Sequence, residues 1–599
     1  MIYHCEDRTC NYWDEGEKLP ERCPQCGRKL LRANETDMTG DDWTALGNTL
    51  WDAEASDKKR MVDCFRKAAY LGSAWGVCNL GICMEQGNGV EADPVQAFWL
   101  YQQAVEMGSL NAVCCLGVCY EYGIGTAPDA KQAAELYRKA AEYGSPRGQM
   151  LLARAFHDGI GVEADAAEAV YWVRAAAYQR YGEGMHRLGE CYAYGDGVEQ
   201  NWEHAVHWFR EAAESGVSAA MTDLGYCYEK GCGVEQSWEQ AFSWYRRSAE
   251  CGNPVSMSNL GLCYQMGYGV EQNWQEAIKW YEQGAQCGDL QSMNNLAYCY
   301  ERGEGVEQNE DRALYWYRRS AEGGNGNAMC NLGWCYKRGY GVEQNLQEAV
   351  KWYEQGAQCG NLQSMHNLAC CYERGEGVEQ NMTEAIRWYT AAAEGGNAAA
   401  MHSLGWHYDH GEGVEQDMKK AIYWYERAAE QNRPAAMNSL GECYAMGRGV
   451  PRDLETAMEW YRRAAELGEA MADYNMGWHL EQAGKLSEAY VHYRKAADGN
   501  DDSAWWALGR FYENGVVVAQ DGKEARRCYE TGEKLGSVKC KMRLARCKLL
   551  GIGGRRAKKA GLDLCRQALE LAKESSEKED YGYEAEMNLL RRTIAENES

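Results

Sequence analysis

Four cysteines near the amino terminus have the spacing of a metal site. They are Cys5, Cys10, Cys23 and Cys26, in the pattern C-x4-C-x12-C-x2-C. Four thiolates placed in this way can close a tetrahedral site around one ion. A segment of about 30 residues buries too little apolar surface to fold unaided, so the metal would supply its folding free energy. We therefore predict one structural zinc ion per chain.

Iron is the alternative metal, because both ions accept tetrahedral sulfur ligands. We favour zinc, since electron transfer by iron would need a redox partner site and the chain has no dinucleotide-binding fingerprint. His4 could replace one cysteine as a ligand, but four cysteines form the simpler set.

The rest of the chain lacks a recognisable catalytic arrangement. It contains no G-x-S-x-G, H-E-x-x-H or Walker motif. The triplet G-x-G followed by Val recurs along the chain, which is typical of a loop element and not of a single phosphate cradle. His402, His407 and His410 cluster without an acidic partner set, and we interpret them as a solvated helix face. We expect a protein that is not an enzyme.

Charge and hydropathy exclude further classes. The 599 residues carry a net charge of −26, which repels a phosphate backbone, so we expect no nucleic-acid partner. No apolar stretch approaches the length of a transmembrane helix. The first residues lack the basic and apolar regions of a signal peptide. We therefore expect a cytoplasmic monomer without membrane contact, in which most of the 27 cysteines are free thiols.

A period of 36 residues organises the chain. A Leu-Gly pair or a close variant recurs at this interval at Leu80, Leu116, Leu152, Leu188, Leu224, Leu260, Leu296, Leu332, Leu368, Leu404 and Leu440, and Met476 continues the series. Leu46, Leu508 and Leu544 extend it at similar spacing, which gives about 15 units. We number positions within a unit from this leucine, so that Gly261 lies at position +1 of the unit of Leu260.

Each unit predicts two short helices. In residues 253–289, apolar residues around Leu260 have helical spacing, and Gly267 and Gly269 interrupt them. Asn273, with Glu276 three residues later, has the pattern of a helix start. We call the first helix of each unit the A helix and the second the B helix.

Neither helix can bury its apolar stripe alone, but stacked neighbours can. The predicted fold is therefore all-α: a right-handed superhelical solenoid of about 15 helix-loop-helix repeats, preceded by a small zinc ribbon. We place the ribbon at residues 1–33, the solenoid at 38–550 and carboxy-terminal capping helices at 551–599.

Three segments carry a family resemblance. They read A-M-x-N-L-G-x-C-Y at 328–336, G-x-G-V-E-Q-N at 339–345 and E-A-x-x-W-Y at 348–353. Over residues 40–550 the chain resembles the Sel-one-like repeat family of the tetratricopeptide repeat superfamily, a bacterial-type repeat protein. The amino-terminal segment resembles a rubredoxin-like zinc ribbon, although its first cysteine pair has a wider spacing.

The resemblance implies a scaffold or adaptor that binds peptide or protein partners on a concave face lined by the A helices. The residues that it assigns to this face are Tyr226, Asn259, Asn295, Tyr298, Asn331, Trp334, His366, Asn367, His402 and Trp406. Two alternatives stay open at these positions. The asparagines could instead make hydrogen bonds between helices, and the aromatic residues could pack between repeats.

Two other functions remain as alternatives. The chain could be a regulatory or sensor protein that docks through its zinc ribbon. Secreted members of the resembled family have also been described as penicillin-binding or β-lactamase-like enzymes, but no serine nucleophile motif occurs in this chain.

The metal prediction can be tested by elemental analysis, which should find one zinc ion per chain. Cys23→Ser should release the metal yet leave the helical array folded, because contacts in a repeat array are made between neighbours. Purified protein with no metal, or with iron and a red colour, would contradict the prediction.

Overall fold

The computed structural model describes residues 2–5, 13–15, 30–32, 38–51, 55–578 and 584–598. Three short strands, β1 (Ile2–Cys5), β2 (Trp13–Glu15) and β3 (Leu30–Arg32), form an antiparallel sheet in the order β2-β1-β3. Cys5 is the last residue of β1, whereas Cys10, Cys23 and Cys26 lie outside the described residues. The zinc ligand set therefore stays a prediction.

The chain divides into two compact parts, residues 1–308 and 309–599. We call these parts the first unit and the second unit, and we call a 36-residue element, such as the unit of Leu260, a repeat. Besides the sheet, the first unit contains α1 (Gly40–Thr49), α2 (Ala55–Tyr70), α3 (Ala74–Gln86), α4 (Pro94–Glu106), α5 (Leu110–Tyr122), α6 (Ala130–Glu142), α7 (Pro146–Asp158), α8 (Ala166–Tyr178), α9 (Gly182–Tyr194), α10 (Trp202–Glu214), α11 (Ser218–Lys230), α12 (Trp238–Glu250), α13 (Pro254–Met266), α14 (Trp274–Gln286) and α15 (Leu290–Arg302).

The second unit contains α16 (Glu310–Glu322), α17 (Gly326–Arg338), α18 (Leu346–Gln358), α19 (Leu362–Arg374), α20 (Met382–Glu394), α21 (Ala398–His410), α22 (Met418–Glu430), α23 (Pro434–Met446), α24 (Leu454–Glu466), α25 (Ala470–Gln482), α26 (Leu486–Asp498), α27 (Asp502–Asn514), α28 (Gly522–Lys534), α29 (Val538–Leu550), α30 (Lys558–Lys578) and α31 (Glu584–Glu598).

The odd-numbered helices α1–α29 are the A helices, and the even-numbered helices that follow them are the B helices. In the first unit consecutive helices pack against each other from α1 to α15, and in the second unit they do so from α16 to α31, so that A and B helices alternate along each. The predicted all-α solenoid of helix-loop-helix repeats is confirmed. None of the described helices is long and apolar enough to cross a bilayer.

Glycine and asparagine fix the ends of these helices, as the repeat pattern predicts. Gly267 follows α13 with φ of +74°, a left-handed conformation that glycine adopts without strain, and its N–H donates to the Cys263 carbonyl. Asn273 then caps α14, since its Oδ1 accepts from the backbone N–H groups of Gln275 and Glu276. Every loop of this kind returns the chain antiparallel to the helix before it.

The core of each repeat depends on a glycine at position +1 and a ring at position +21. A β-carbon added at Gly261 would lie only 2.5 Å from Cε1 of Tyr281, so the two helices meet at van der Waals contact there. Tyr281 is fully buried, and its hydroxyl donates to Gln265 Oε1 at position +5, 2.7 Å away. The same hydroxyl contact joins Tyr101 to Glu85, Tyr137 to Glu121, Tyr245 to Glu229, Tyr389 to Glu373 and Tyr529 to Glu513.

Cysteines at position +3 fill the space beside this ring. The 23 cysteines outside the amino-terminal four are free thiols, and most are buried. Burial raises the pKa of Cys227 and of Cys263 to about 12, so these thiols stay protonated and act as small apolar groups.

Substitutions in the repeat of Leu224 should separate the contribution of the Tyr245 ring to stability from that of its hydroxyl. We expect Tyr245→Ala to lower the free energy of unfolding by about 3–5 kcal/mol, since it leaves a cavity. Tyr245→Phe loses only the hydrogen bond to Glu229, at a cost of about 1–3 kcal/mol. Amide hydrogen exchange in α11–α13 measures both changes.

The matched control is Tyr226→Ala, whose side chain is 46% exposed on the neighbouring A helix. It should change stability by less than about 0.5 kcal/mol. Equal losses for Tyr226→Ala and Tyr245→Ala would contradict the assignment of the ring to the core.

Candidate partner-binding face of the A helices

Position +2 of the A helices carries large side chains that the fold leaves partly in solvent. Its neighbours at positions 0, +1 and +3 are buried; in α11 these are Leu224, Gly225 and Cys227. At +2 itself, Tyr226 is 46% exposed in α11, and Trp478 is 42% exposed in α25. In these two repeats the A helix presents its +2 side chain partly to solvent, whereas Ile82, Val118 and Cys370 at +2 of other repeats pack against the core.

In the first unit, the predicted face residues are Tyr226, Asn259, Asn295 and Tyr298. Lys230 Nζ lies 5.9 Å from the ring of Tyr226, and Arg302 Cζ lies 5.6 Å from the ring of Tyr298, so each ring carries a cation from the next turn of its helix. Asn259 is half-buried. Asn295 Oδ1 accepts from Gln291 Nε2 at 2.8 Å within the same helix.

In the second unit, tryptophans recur at +2 in every second repeat. They are Trp334, Trp406 and Trp478, each 72 residues from the next. Trp334 and Trp406 are half-buried. The ring of Trp334 lies beside Tyr340, with centroids 5.7 Å apart, and Trp406 stacks on His410 at 4.3 Å. Sequence reasoning missed Trp478, although its place in the 36-residue period could have revealed it.

A polar ladder links consecutive A helices of the second unit at positions −2 and −1. Asn367 Nδ2 donates to Cys330 Sγ at 3.4 Å. His402 Nε2 lies 3.3 Å from Ser439 Oγ, and in the next repeat Asn475 Nδ2 donates to Asn438 Oδ1 at 3.0 Å. For Asn367, the alternative of a hydrogen bond between helices is therefore the observed one. Asn331 occupies the same position one repeat earlier and is half-buried.

The histidines of this face are more enclosed than their positions suggested. Burial, together with the charges of Arg433 and His366, lowers the pKa of His402 to about 4, and burial also lowers the pKa of His366. His407 is buried, and its Nδ1 lies 3.0 Å from the Glu412 carbonyl. The expectation of one solvated face for the three clustered histidines is wrong for His407, because position +3 faces the core in this repeat as it does for the buried Cys371 and Cys443 of its neighbours.

Among the described residues of the first unit, one group has the composition of a metal site. His186, Glu190 and Asp223 place their ligand atoms within 4.8 Å of one another. His186 Nε2 contacts Asp223 Oδ2 at 2.6 Å, and Glu190 pairs with Arg187 at 3.3 Å. Since His186 and Asp223 occupy positions −2 and −1, we interpret their contact as the polar ladder of this unit.

A cavity of about 590 Å³ opens between α7, α8 and α9 of the first unit. Its apolar lining includes Ala153, Val170 and Val173. Its polar lining combines three arginines with three carboxylates, namely Arg147, Arg154, Arg187, Asp158, Glu183 and Asp196. Sequence reasoning did not identify this site. The signal was available in the departure Leu-Ala-Arg-Ala-Phe at 152–156, where most repeats have Leu-Gly or Leu-Ala followed by a cysteine at +3.

Comparison with known proteins identifies the repeat. A family model described as Sel1 repeat matches residues 76–109, 112–145, 146–181, 182–217, 218–253, 254–289, 290–325, 326–361, 362–397, 398–432, 434–469, 470–501 and 504–537. No curated protein sequence matches the chain.

Two solved structures share a third of the aligned residues. A protective antigen of uropathogenic Escherichia coli strains, which displays an SLR fold, is 33% identical with a TM-score of 0.51, over 75% of this chain and 97% of the antigen. A Sel1 repeat protein from Oxalobacter formigenes is also 33% identical, with a TM-score of 0.37, over 41% of this chain and 96% of its own.

The low pKa of His402 gives the second unit a pH-dependent stability. The unfolded state binds a proton near pH 6.5 and the folded state only near pH 4, so stability falls as the pH drops through this window. We expect this histidine to contribute a loss of up to about 3 kcal/mol. Hydrogen exchange in α21–α23 at pH 7 and pH 4.5 measures the loss.

His402→Gln should remove this part of the pH dependence, whereas His410→Gln, on the exposed end of the same helix, should leave it in place. An unchanged pH profile in His402→Gln would show that the ring is solvated.

Proposed function

Because this chain belongs to the Sel1 repeat family, we propose that it is an adaptor or scaffold that binds protein or peptide partners on the partly exposed face of its A helices. Proteins built from such repeats generally act as scaffolds for protein–protein interaction, and the fold is typical of non-enzymatic proteins. We further propose that the protein is a cytoplasmic monomer, with one zinc ion held by Cys5, Cys10, Cys23 and Cys26.

The tryptophans at position +2 of the second unit carry the proposal. Core packing accounts for the leucine, the small residue and the buried side chain at positions 0, +1 and +3, but it does not require an indole at +2. Trp334, Trp406 and Trp478 keep part of their surface in solvent. Tryptophan is enriched among the residues that dominate binding energy at interfaces, because a rigid ring covers a large area at a low entropic cost.

The polar ladder supports the same proposal. Its hydrogen bonds hold consecutive A helices in register, so that the residues at +2 stand on a framework that is ordered before a partner arrives. Binding to an ordered surface avoids the entropic cost of arranging it. Within this proposal, Asn331, Asn367, His366 and His402 would position the face, and the tryptophans would contact the partner.

Simultaneous truncation of Trp334, Trp406 and Trp478 to alanine should abolish capture of partners from native lysate by the purified full-length chain. Loss of one dominant aromatic residue typically costs about 2 kcal/mol, or about 30-fold in affinity. The measurement is crosslinking capture followed by identification of the retained proteins, with thermal unfolding recorded for each variant.

The matched control is Tyr315→Ala with Tyr423→Ala. These tyrosines are 53% and 49% exposed on the B helices α16 and α22, and their removal should leave capture unchanged. If the tryptophan variant unfolds, the indoles belong to the core. If it stays folded and captures the same proteins, the interaction surface lies elsewhere, and a chain of residues 38–599 then tests docking through the zinc ribbon.

A further inference from the structure

One repeat of the first unit lacks the ring that fills its neighbours. Position +21 is an aromatic residue in the units of Leu80, Leu116, Leu188, Leu224 and Leu260, namely Tyr101, Tyr137, Phe209, Tyr245 and Tyr281. In the unit of Leu152 it is Val173, in the B helix α8. Valine is shorter than tyrosine by a whole aromatic ring, so the space that the ring occupies elsewhere has no side chain to fill it.

The cavity of about 590 Å³ lies at this place. Val173 and Ala153, the residues at +21 and +1, both line it. Cys191 also lines it, and this residue is the +3 cysteine of the next repeat, which in other repeats borders the tyrosine ring. We call this cavity the ring slot. Its lining includes the positions that enclose the aromatic ring in the other repeats.

The acceptor at position +5 changes together with the ring. In the repeats of the first unit that have tyrosine at position +21, position +5 is a glutamate or glutamine that accepts from the tyrosine hydroxyl. Where position +21 is Phe209, which has no hydroxyl to donate, position +5 is Ala193, which has no side-chain acceptor. In the unit of Leu152, position +5 is His157, which lines the ring slot and contacts Asp158 and Asp196 at 2.6 and 3.3 Å. The ring slot therefore has a polar end at His157, but Val173 supplies no hydroxyl group to it.

The slot is lined by three arginines and three carboxylates, and only Arg147 of these arginines has no carboxylate partner among the described residues. Arg154 pairs with Glu121 through Nη2, but its Nε is buried and no described residue accepts from it. Arg147 is exposed, and among the described residues its hydrogen-bond contact is the Cys115 sulfur, 3.7 Å away, with no carboxylate in ion-pair distance. Arg187 is already neutralised by Asp196 and Glu190. A guanidinium group without an anionic partner, here that of Arg147, favours a carboxylate.

We propose that the ring slot binds a peptide segment that presents a phenylalanine or tyrosine side chain next to an aspartate or glutamate. The aromatic ring enters between Val173 and Ala153, and the carboxylate of the adjacent residue accepts from Arg147. This inference rests on the proposed scaffold function and names a partner class for one place on it.

The proposal excludes other occupants on physical grounds. A lysine or arginine side chain would bring a second cation beside Arg147, the lining arginine without a carboxylate partner among the described residues, and would be repelled there. The carboxylates of the lining are already engaged, Asp158 and Asp196 with His157 and Glu183 with the Tyr181 hydroxyl. An aliphatic side chain would leave part of the slot empty and would offer nothing to the arginines, so it would gain less from dispersion and from hydrogen bonding.

Four capped peptides test the slot by ligand-observed saturation-transfer NMR with the full-length chain. They are Ac-Gly-Phe-Asp-Gly-NH2, its Tyr-Asp counterpart, and two controls in which Phe becomes Ala or Asp becomes Asn. The Phe-Asp and Tyr-Asp peptides should bind, with saturation strongest on the ring protons. The alanine control should bind at least tenfold more weakly.

Refilling the slot should abolish binding. Val173→Tyr restores the residue of the other repeats, and Ala369 with Tyr389 in the second unit shows that an alanine at +1 tolerates this ring. Val173→Phe is a second filled variant if the hydroxyl of the first is not accommodated. Either folded variant should weaken Phe-Asp binding at least tenfold, whereas Val173→Ile, which leaves the ring space open, should retain it. Arg147→Gln should reduce the affinity for Phe-Asp to that for Phe-Asn.

Each outcome decides the proposal. If none of the peptides binds, or if the filled variants bind as well as the original chain, the ring slot is not a peptide site. Such a result leaves the scaffold function untouched, because that function is tested through the tryptophans of the second unit. Equal binding of the Phe-Asp and Phe-Asn peptides would overturn the proposed contact between the peptide carboxylate and Arg147.

Discussion

The contact between a small residue at +1 and a buried ring at +21 sets the spacing of the helices within each repeat. Gly261 and Tyr281 show why the pair is restrictive, since a β-carbon on the glycine would meet the ring at 2.5 Å. The ring in turn brings its hydroxyl to position +5 and presses against the thiol at +3. One contact thus determines the residue types at four positions, and its repetition every 36 residues builds the array.

A strict core leaves the remaining A-helix positions free to diverge. Positions −2 and −1 use this freedom for hydrogen bonds between consecutive A helices, with partners as different as His186 with Asp223 and Asn438 with Asn475. Position +2 holds tyrosine, tryptophan, leucine, isoleucine, valine, cysteine, asparagine, glutamate or arginine. Where it is Tyr226 or Trp478, the side chain is partly exposed, so such a residue can serve recognition with little effect on core packing.

The ring slot lies in the repeat that lacks the ring at position +21 but keeps a small residue, Ala153, at position +1. Where Val173 stands in place of the ring, α7, α8 and α9 enclose a cavity that Val173 and Ala153 line. Structure around a missing side chain relaxes only partially, so part of the space of the ring stays open.

The sequence by itself determined the repeat, the helix ends and the buried positions, because these depend on local spacing: Gly267, Asn273 and Leu260 mark a stop, a cap and a core position without reference to distant residues. It also placed the four amino-terminal cysteines at metal-binding spacing. Only the tertiary structure decided how neighbouring A helices meet. It joined Asn367 to Cys330 and enclosed His402, and it converted the change at Val173 into a cavity between three helices. These outcomes depend on contacts between residues more than 20 positions apart, which a periodic pattern cannot specify.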